Sequence, residues 1–593
     1  MTDTPIRYRL APIDLAGHRC EVRLTIDEPA ADGQIVSLPA WIPGSYLLRE
    51  FARQIETIEA RSGRERVALT KLDRNTWHAA PCRGPLVITC VIYAWDLSVR
   101  SAHLDQSHGF FNGTSVFLRV QGRETSPCLL ELVAPDRRQT FADTPWQVYT
   151  SLPEATGVAG AARRHGYGLY QAPDYDALID HPIEMGTPQV ARFVAHGAEH
   201  ELVFTGTAPG LDLGRIAADA KRICEAQIAF FEPETRRAPF LDSAQRYVFM
   251  TQITPDGYGG LEHRASTALV CARADLPVTG RAEQSDGYRT FLGLVSHEYF
   301  HTWHVKRIKP ALFAPYDLSR ENHTRLLWVF EGFTSYYDDL MLLRSGVIDL
   351  PAYLKLVAKT VAGVERAPGR HKQSVAESSF DAWTRYYRQD ENSPNALVSY
   401  YTKGSLIALG LDITLRNATG GQRSLDDVMR LLWTRYGRDF YQGRPRGIPE
   451  DALPALIEEA TGVDASAFIT RYAEGREDVP VRELLATQRI ATRPPKAVTA
   501  AGLDVRVRAQ GTDAVLATVL EGGAAHRAGL SAHDVLVAID GLRIAGSAGL
   551  DALLARYQPG ASVTIHAFRG DELRAFSVRL GEAAPAEPAF VAE

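Results

Sequence analysis

The run GLVSHEYFHTWH, from Gly293 to His304, constrains this chain more than any other stretch. Around it Tyr288, Phe291, Leu292, Val295, Tyr299 and Trp303 advance in steps of three and four, which predicts one helix with a core-facing stripe. His297 and His301 lie four residues apart, so on that helix they share the face away from the stripe, and both imidazoles can converge on one cation. Glu298 is then placed to act as general base on a water at that metal.

A bare HExxH arises by chance in many proteins, so a third ligand is needed. Downstream, LLWVFEGFTSYYDDLMLL is a strongly apolar helical segment with one acid in its interior, Glu331. A carboxylate among Trp328, Val329, Phe330 and Phe333 is costly to bury unless paired or coordinated. The 29 residues between His301 and Glu331 suffice for a loop and an antiparallel return. Gly332 weakens the helix but allows close approach of a neighbouring backbone. His304 is the rival third ligand. It lies about 10.5 Å along a helix from His297, too far for one zinc unless the helix breaks, and HExxHxxGxxH is absent, so Glu331 is preferred.

Length and composition exclude whole classes. A chain of 593 residues, at about 150 per domain, predicts three or four domains, and 45% apolar with 23% charged residues is ordinary globular composition. The net charge of −6 gives no footprint for nucleic acid. The N-terminus lacks the apolar core of a secretory signal, and the apolar run from Gly404 to Leu411 is far short of a membrane span. Six scattered cysteines read as small core hydrophobes, so the chain reads as cytoplasmic, with a periplasmic or secreted setting left open if a leader has been removed.

The pattern divides along the chain. Residues 1–165 read as a β-rich amino-terminal domain, 166–487 as a largely helical catalytic domain, 498–583 as a compact module of short strands, and the Ala-, Pro- and Glu-rich residues 584–593 as a disordered tail. Within the second segment, GYGGLEHRAS follows the strand-like RYVFMTQI. Gly259 and Gly260 expose backbone along which an extended peptide can lie, and Glu262 projects nearby as a fixed partner for a free α-ammonium. A simple hairpin turn explains GYGG equally well on its own.

At these residues the chain resembles the glycyl aminopeptidase family of HExxH glutamate-zincins, which carry a C-terminal PDZ domain. LPAWIPGSYLLREFARQI at 38–55, GGLEHRAS, HEYFHTWHVKRIKP, EGFTSYYDD and YYTKG follow in the family's order. The resemblance implies a multidomain α+β protein with a thermolysin-like catalytic domain. It implies one zinc ion per chain on His297, His301 and Glu331, with Glu298 as general base. It also supports Glu262 as the anchor of the substrate amine. YTKG resembles a helix whose tyrosine stabilises the oxyanion, which maps onto Tyr401, with Tyr400 as competitor. The His301-to-Glu331 spacing exceeds that of the larger aminopeptidases. Ser335 stands where an acid often orients a histidine ligand, so Asp338 is the candidate for that task.

The C-terminal run AAHRAGLSAHDVLVAIDGLRI is similar to the PDZ signature, which assigns Gly502, Leu503, Asp504 and Val505 to a carboxylate-binding turn. An inward-pointing Asp504 would oppose a carboxylate, so intramolecular packing is the alternative role. The expected partners are peptides with a free N-terminus, and a C-terminal peptide or intramolecular ligand at the PDZ module. The expected activity is zinc-dependent removal of the N-terminal residue, with small residues preferred on the family's account. The rival readings are a thermolysin-like endopeptidase and a catalytically silent PDZ adaptor.

Overall fold

The computed structural model describes residues 4–443, 445–493, 500–584 and 587–593. The fold is mixed α+β and divides into two compact units. The first comprises Met1–Asn322, Tyr337–Val347 and Met429–Pro449, and the second His323–Tyr336, Ile348–Val428 and Glu450–Glu593.

The first unit begins with a seven-stranded sheet ordered Gly168–Ala172, Cys128–Leu132, Ile6–Asp14, Arg19–Ile26, Leu86–Tyr93, Ile55–Ser62 and Glu65–Val67. Its strands alternate: Leu86, Ile88, Cys90 and Ile92 are buried while the residues between them are half-buried. Strand pairing extends past the boundary expected at residue 165. Gly168–Ala172 joins this sheet, and Ile183–Gly186 pairs with His108–Phe111 and Gln147–Tyr149. The β-rich region therefore continues past residue 165.

A second, five-stranded sheet follows. Arg246–Thr254 runs at its centre, parallel to Ala198–Thr205 on one side and Ser266–Ala272 on the other, and eight of its nine residues are buried. Tyr258–Glu262 forms the antiparallel edge. The helix Asp286–Phe300 starts at Ser285, whose side chain accepts from the Tyr288 N–H. Its stripe is buried as its spacing predicts, with the Tyr299 ring 4.9 Å from Tyr247 and 5.8 Å from Phe249 of the central strand.

One buried carboxylate ties these parts together. Asp180 lies 3.0 Å from His263 Nδ1, accepts from Arg264 Nε at 3.0 Å and pairs with Lys306 Nζ at 2.9 Å. It thereby fixes the turn after the edge strand and the loop after the helix to one point. Burial alone would raise its pKa, but Lys306, His263 and Arg264 hold it well below the usual carboxylate range. All six cysteines are unpaired, and five are buried.

In the second unit the π-helical turn Trp328–Gly332 packs against the helix Thr402–Ala418. The C-terminal module is a sheet ordered Val505–Gln510, Asp513–Val519, Val535–Ile539, Ser562–Arg569 and Glu572–Arg579, closed by the helix Gly546–Leu554, whose Leu550 and Leu554 join Leu516, Ile539 and Ile565 in the core. The expected start of this module at residue 498 lies outside the described residues. The expected disorder of the tail is corrected: Ala589–Ala592 pairs antiparallel with Ile490–Arg493 and buries Phe590. The Ala- and Pro-rich composition hid a short strand whose one large apolar side chain has a place to pack.

Removing one member of a buried ion cluster typically costs about 3–5 kcal/mol. Asp180→Asn is therefore expected to lower the urea midpoint at neutral pH. A carboxylate with a depressed folded pKa stabilises above its unfolded value and loses that contribution as pH falls through the folded one. The gap between wild type and variant should accordingly narrow below about pH 4.

Candidate metal centre

The helix that carries HExxH ends at Phe300, with His301 as its C-cap. The His301 N–H still reaches the His297 carbonyl at 3.1 Å, so the one-turn spacing of the two imidazoles holds. Their Nε2 atoms face each other 3.0 Å apart. The other ring nitrogens are engaged. His297 Nδ1 donates to Asp338 Oδ2 at 2.8 Å, and His301 Nδ1 donates to the His304 carbonyl at 2.7 Å. A carbonyl can only accept, so the His301 proton sits on Nδ1 and its Nε2 lone pair points at the neighbouring ring. Asp338 is positioned in turn by Ser296, whose Oγ donates to the Asp338 carbonyl at 2.8 Å. Burial pushes the Asp338 carboxyl up, against the pull of His297.

His304, the rival ligand, contributes its backbone carbonyl, and its ring stands edge-on to Phe300. The helix does break after Phe300, so helical pitch alone does not remove His304. Among the described residues, however, its ring belongs to no group of converging ligand atoms.

Two carboxylates crowd His301. Glu262, Glu298 and His301 offer ligand atoms within 4.8 Å of one another, and all three residues are buried. Gly260 makes room for this: a Cβ there would come within 2.2 Å of Glu298 Oε1. Gly44, in the amino-terminal segment IPGSY, does the same for Glu262, since a Cβ would meet its Oε2 at 2.4 Å and the backbone adopts φ +90°. That loop is held by Trp41 Nε1, which donates to the Asp317 carbonyl at 2.8 Å, and by Tyr46 stacked on Phe313. Gly259, at φ +152°, precedes Gly260 on the exposed edge.

In the second unit Glu331 sits inside the π-helical turn rather than in a regular helix, and is 2% exposed. Such a turn projects a side chain differently from its neighbours and is common at functional sites. The turn leads directly into the helix Phe333–Arg344, which carries Asp338. Gly332 backs onto Gly404: a Cβ at Gly332 would lie only 2.7 Å from the Gly404 Cα, so both glycines of EGF and YTKG serve one close approach. Tyr401 caps the helix Thr402–Ala418, and its hydroxyl lies 3.1 Å from that of Tyr387. Tyr400 is fully buried and Tyr401 partly accessible. Tyr386, whose pKa is raised by burial and by nearby Glu331, stacks on Tyr401 and lies tilted against Tyr400.

In the carboxylate turn assigned to the C-terminal module, the aspartate is engaged locally. Asp504, at φ +58°, accepts from the Ala524 N–H at 3.1 Å, so its charge is spent on the following short helix. Leu503 is buried, Ala501 and Gly502 pair with Gly581 and Glu582, and Val505 opens an edge strand. A groove of about 860 Å³ runs along these residues, with Leu550 and Leu554 on its far wall. Sequence reasoning missed Asp180, Gly44 and Tyr387. Only Gly44 carried a local signal, a Pro-Gly pair.

Sequence profiles for M61 glycyl aminopeptidase, the peptidase M61 N-terminal domain and the PDZ domain match residues 290–407, 7–187 and 501–580. A crystal structure of an aminopeptidase N family protein from Idiomarina loihiensis is 40% identical, covers 99% of this chain and 98% of that one, and superposes with a TM-score of 0.92. An M1 zinc metallopeptidase from Deinococcus radiodurans is 15% identical over 81% of this chain and 95% of that one, at a TM-score of 0.48. No curated protein gives a significant match.

Forcing a methyl group into the Gly332–Gly404 contact should cost about 1–3 kcal/mol of overpacking. Gly332→Ala is expected to lower the thermal midpoint, and a midpoint equal to wild type would show that this backbone can part without loss.

Proposed function

The chain belongs to the M61 glycyl aminopeptidase family, and from that premise we propose that it is a zinc metallopeptidase releasing the N-terminal residue of peptides, with glycine and alanine preferred. The observation that carries the reading is the pair of imidazole Nε2 atoms 3.0 Å apart with both Nδ1 atoms already donating. Two neutral rings aimed lone pair to lone pair repel unless a cation lies between them, and an N₂O donor set of two histidines and a carboxylate suits zinc. His297, His301 and Glu331 would hold it. When bound, zinc polarises the scissile carbonyl and acidifies a water.

The remaining work falls to the protein. Glu298 takes a proton from the attacking water and delivers it to the leaving amine. The Tyr401 hydroxyl donates to the carbonyl oxygen as it becomes an oxyanion. Glu262 pairs with the α-ammonium, and the Gly44 loop packs directly against that carboxylate. Asp338 keeps the His297 proton on Nδ1. The PDZ groove is an additional peptide-binding surface, for a C-terminal peptide or an internal ligand. The preference for glycine follows the family's description, with no contact in this chain used to derive it.

Metal analysis of the purified protein should return one zinc per chain, and Glu298→Gln should lower kcat on glycyl and alanyl chromogenic substrates about 10²–10⁴-fold. Hydrolysis of N-acetylated peptides at comparable rates would replace the aminopeptidase with an endopeptidase, and an inactive, metal-free wild type would leave the scaffold reading. Asp338→Ala is expected to weaken zinc binding about 10–100-fold in a chelator competition, with the HExxH residues intact.

A further inference from the structure

The edge strand Tyr258–Glu262 meets an arginine from the amino-terminal β-rich region. Arg100 Nη2 donates to the Gly260 carbonyl at 3.3 Å, and its backbone N–H donates to Ser98 Oγ at 3.3 Å. Its Nε–H is buried without a hydrogen-bond partner, and among the described residues no carboxylate lies within 4 Å of its guanidinium. A half-buried guanidinium with an unused N–H and no counter-charge is an unsatisfied group facing the site.

Its position defines what it can meet. Gly260 turns its carbonyl outward, away from the partner strand Ser266–Ala272. An extended peptide lying along this edge would meet the Arg100 guanidinium at that carbonyl. The direction of the substrate follows from the carboxylates: its ammonium lies at Glu262, and its scissile bond must lie over Glu298, against which Gly260 packs. The chain thus runs from Glu262 towards Gly260, two residues or about 6.8 Å along the strand. An extended dipeptide spans about 7 Å.

We infer that Arg100 binds the C-terminal carboxylate of very short peptides, so that dipeptides with a small first residue are the favoured substrates. The inference rests on the aminopeptidase reading and names the substrate class of that same site. The planar guanidinium fork matches a carboxylate, and a charge-assisted pair there adds to the pairing at Glu262. A dipeptide is then held at both ends, with its one peptide bond fixed over Glu298.

The test compares kcat/KM for glycyl-alanine and glycyl-alaninamide in wild type and Arg100→Gln, with glycyl p-nitroanilide as a substrate lacking any carboxylate. Wild type is expected to favour the free acid tenfold or more, and the variant to bring the ratio close to one. Calorimetric binding of the same two dipeptides to Glu298→Gln should give the same tenfold difference, abolished by adding Arg100→Gln. Equal rates on acid and amide in wild type, or an equal loss on both in the variant, overturns the role of Arg100. Turnover of the anilide in that case leaves the aminopeptidase standing. Failure to hydrolyse any of the three overturns both.

Discussion

The first unit depends on one buried carboxylate. Asp180 is contacted by a histidine and an arginine from the turn after the edge strand and by a lysine from the loop after the HExxH helix. Taking these charges out of water is expensive, and the geometry is tolerable only because Lys306 and Arg264 share this anion and both Asp180 oxygens accept hydrogen bonds. Neighbouring charges extend the cluster. Arg264 also meets Asp176, and Arg307 pairs with Asp242 through both terminal oxygens. Lys309, with no acid at bonding distance among the described residues, is pushed by burial down to about 7 and lies over the rings of Tyr316 and Phe440. The basic run VKRIKP thus acts inwardly, as a fastening for the segment that leaves His301. Glu262, one residue before His263, and His301, five residues before Lys306, inherit their relative placement from this fastening.

The site it supports concentrates negative charge beside two histidines. Glu262 and Glu298 converge with His301 in a space emptied of side-chain atoms by Gly44 and Gly260. A methyl group at either glycine would displace a carboxylate oxygen from its place. Such an arrangement is electrostatically unfavourable on its own, and it becomes favourable with a dication and a substrate ammonium present.

How much of this could be read from sequence depended on how local the signal was. The HExxH helix was legible because its core stripe and its ligand spacing fall within one short stretch, and the PDZ region because its signature is contiguous. Glu331 stood out as a lone acid in an apolar run, though the π-helical turn that presents it did not, since periodicity is blind to a single wide turn. Asp180 was invisible: its three partners come from two distant segments, and an aspartate after an ordinary apolar helix carries no mark. The orientation of Asp504 was left open by the sequence, because its positive φ and its bond to Ala524 are set by the neighbouring loop. The terminal strand was lost to composition, as Ala, Pro and Glu outvoted one phenylalanine.

That terminal strand alters the mechanics of the PDZ domain. Ile490–Arg493 leads into it and Ala589–Ala592 leaves it, and the two are zipped together with Phe590 turned inward. The module is therefore closed at its neck, entering and departing the second unit at a single doorway. A domain strung on one linker swivels freely, whereas one gathered at the neck can only nod as far as four paired residues bend. Residues Ala589–Ala592 act as a latch, and anything that breaks their pairing with Ile490–Arg493 would turn a fastened appendage into a loose one.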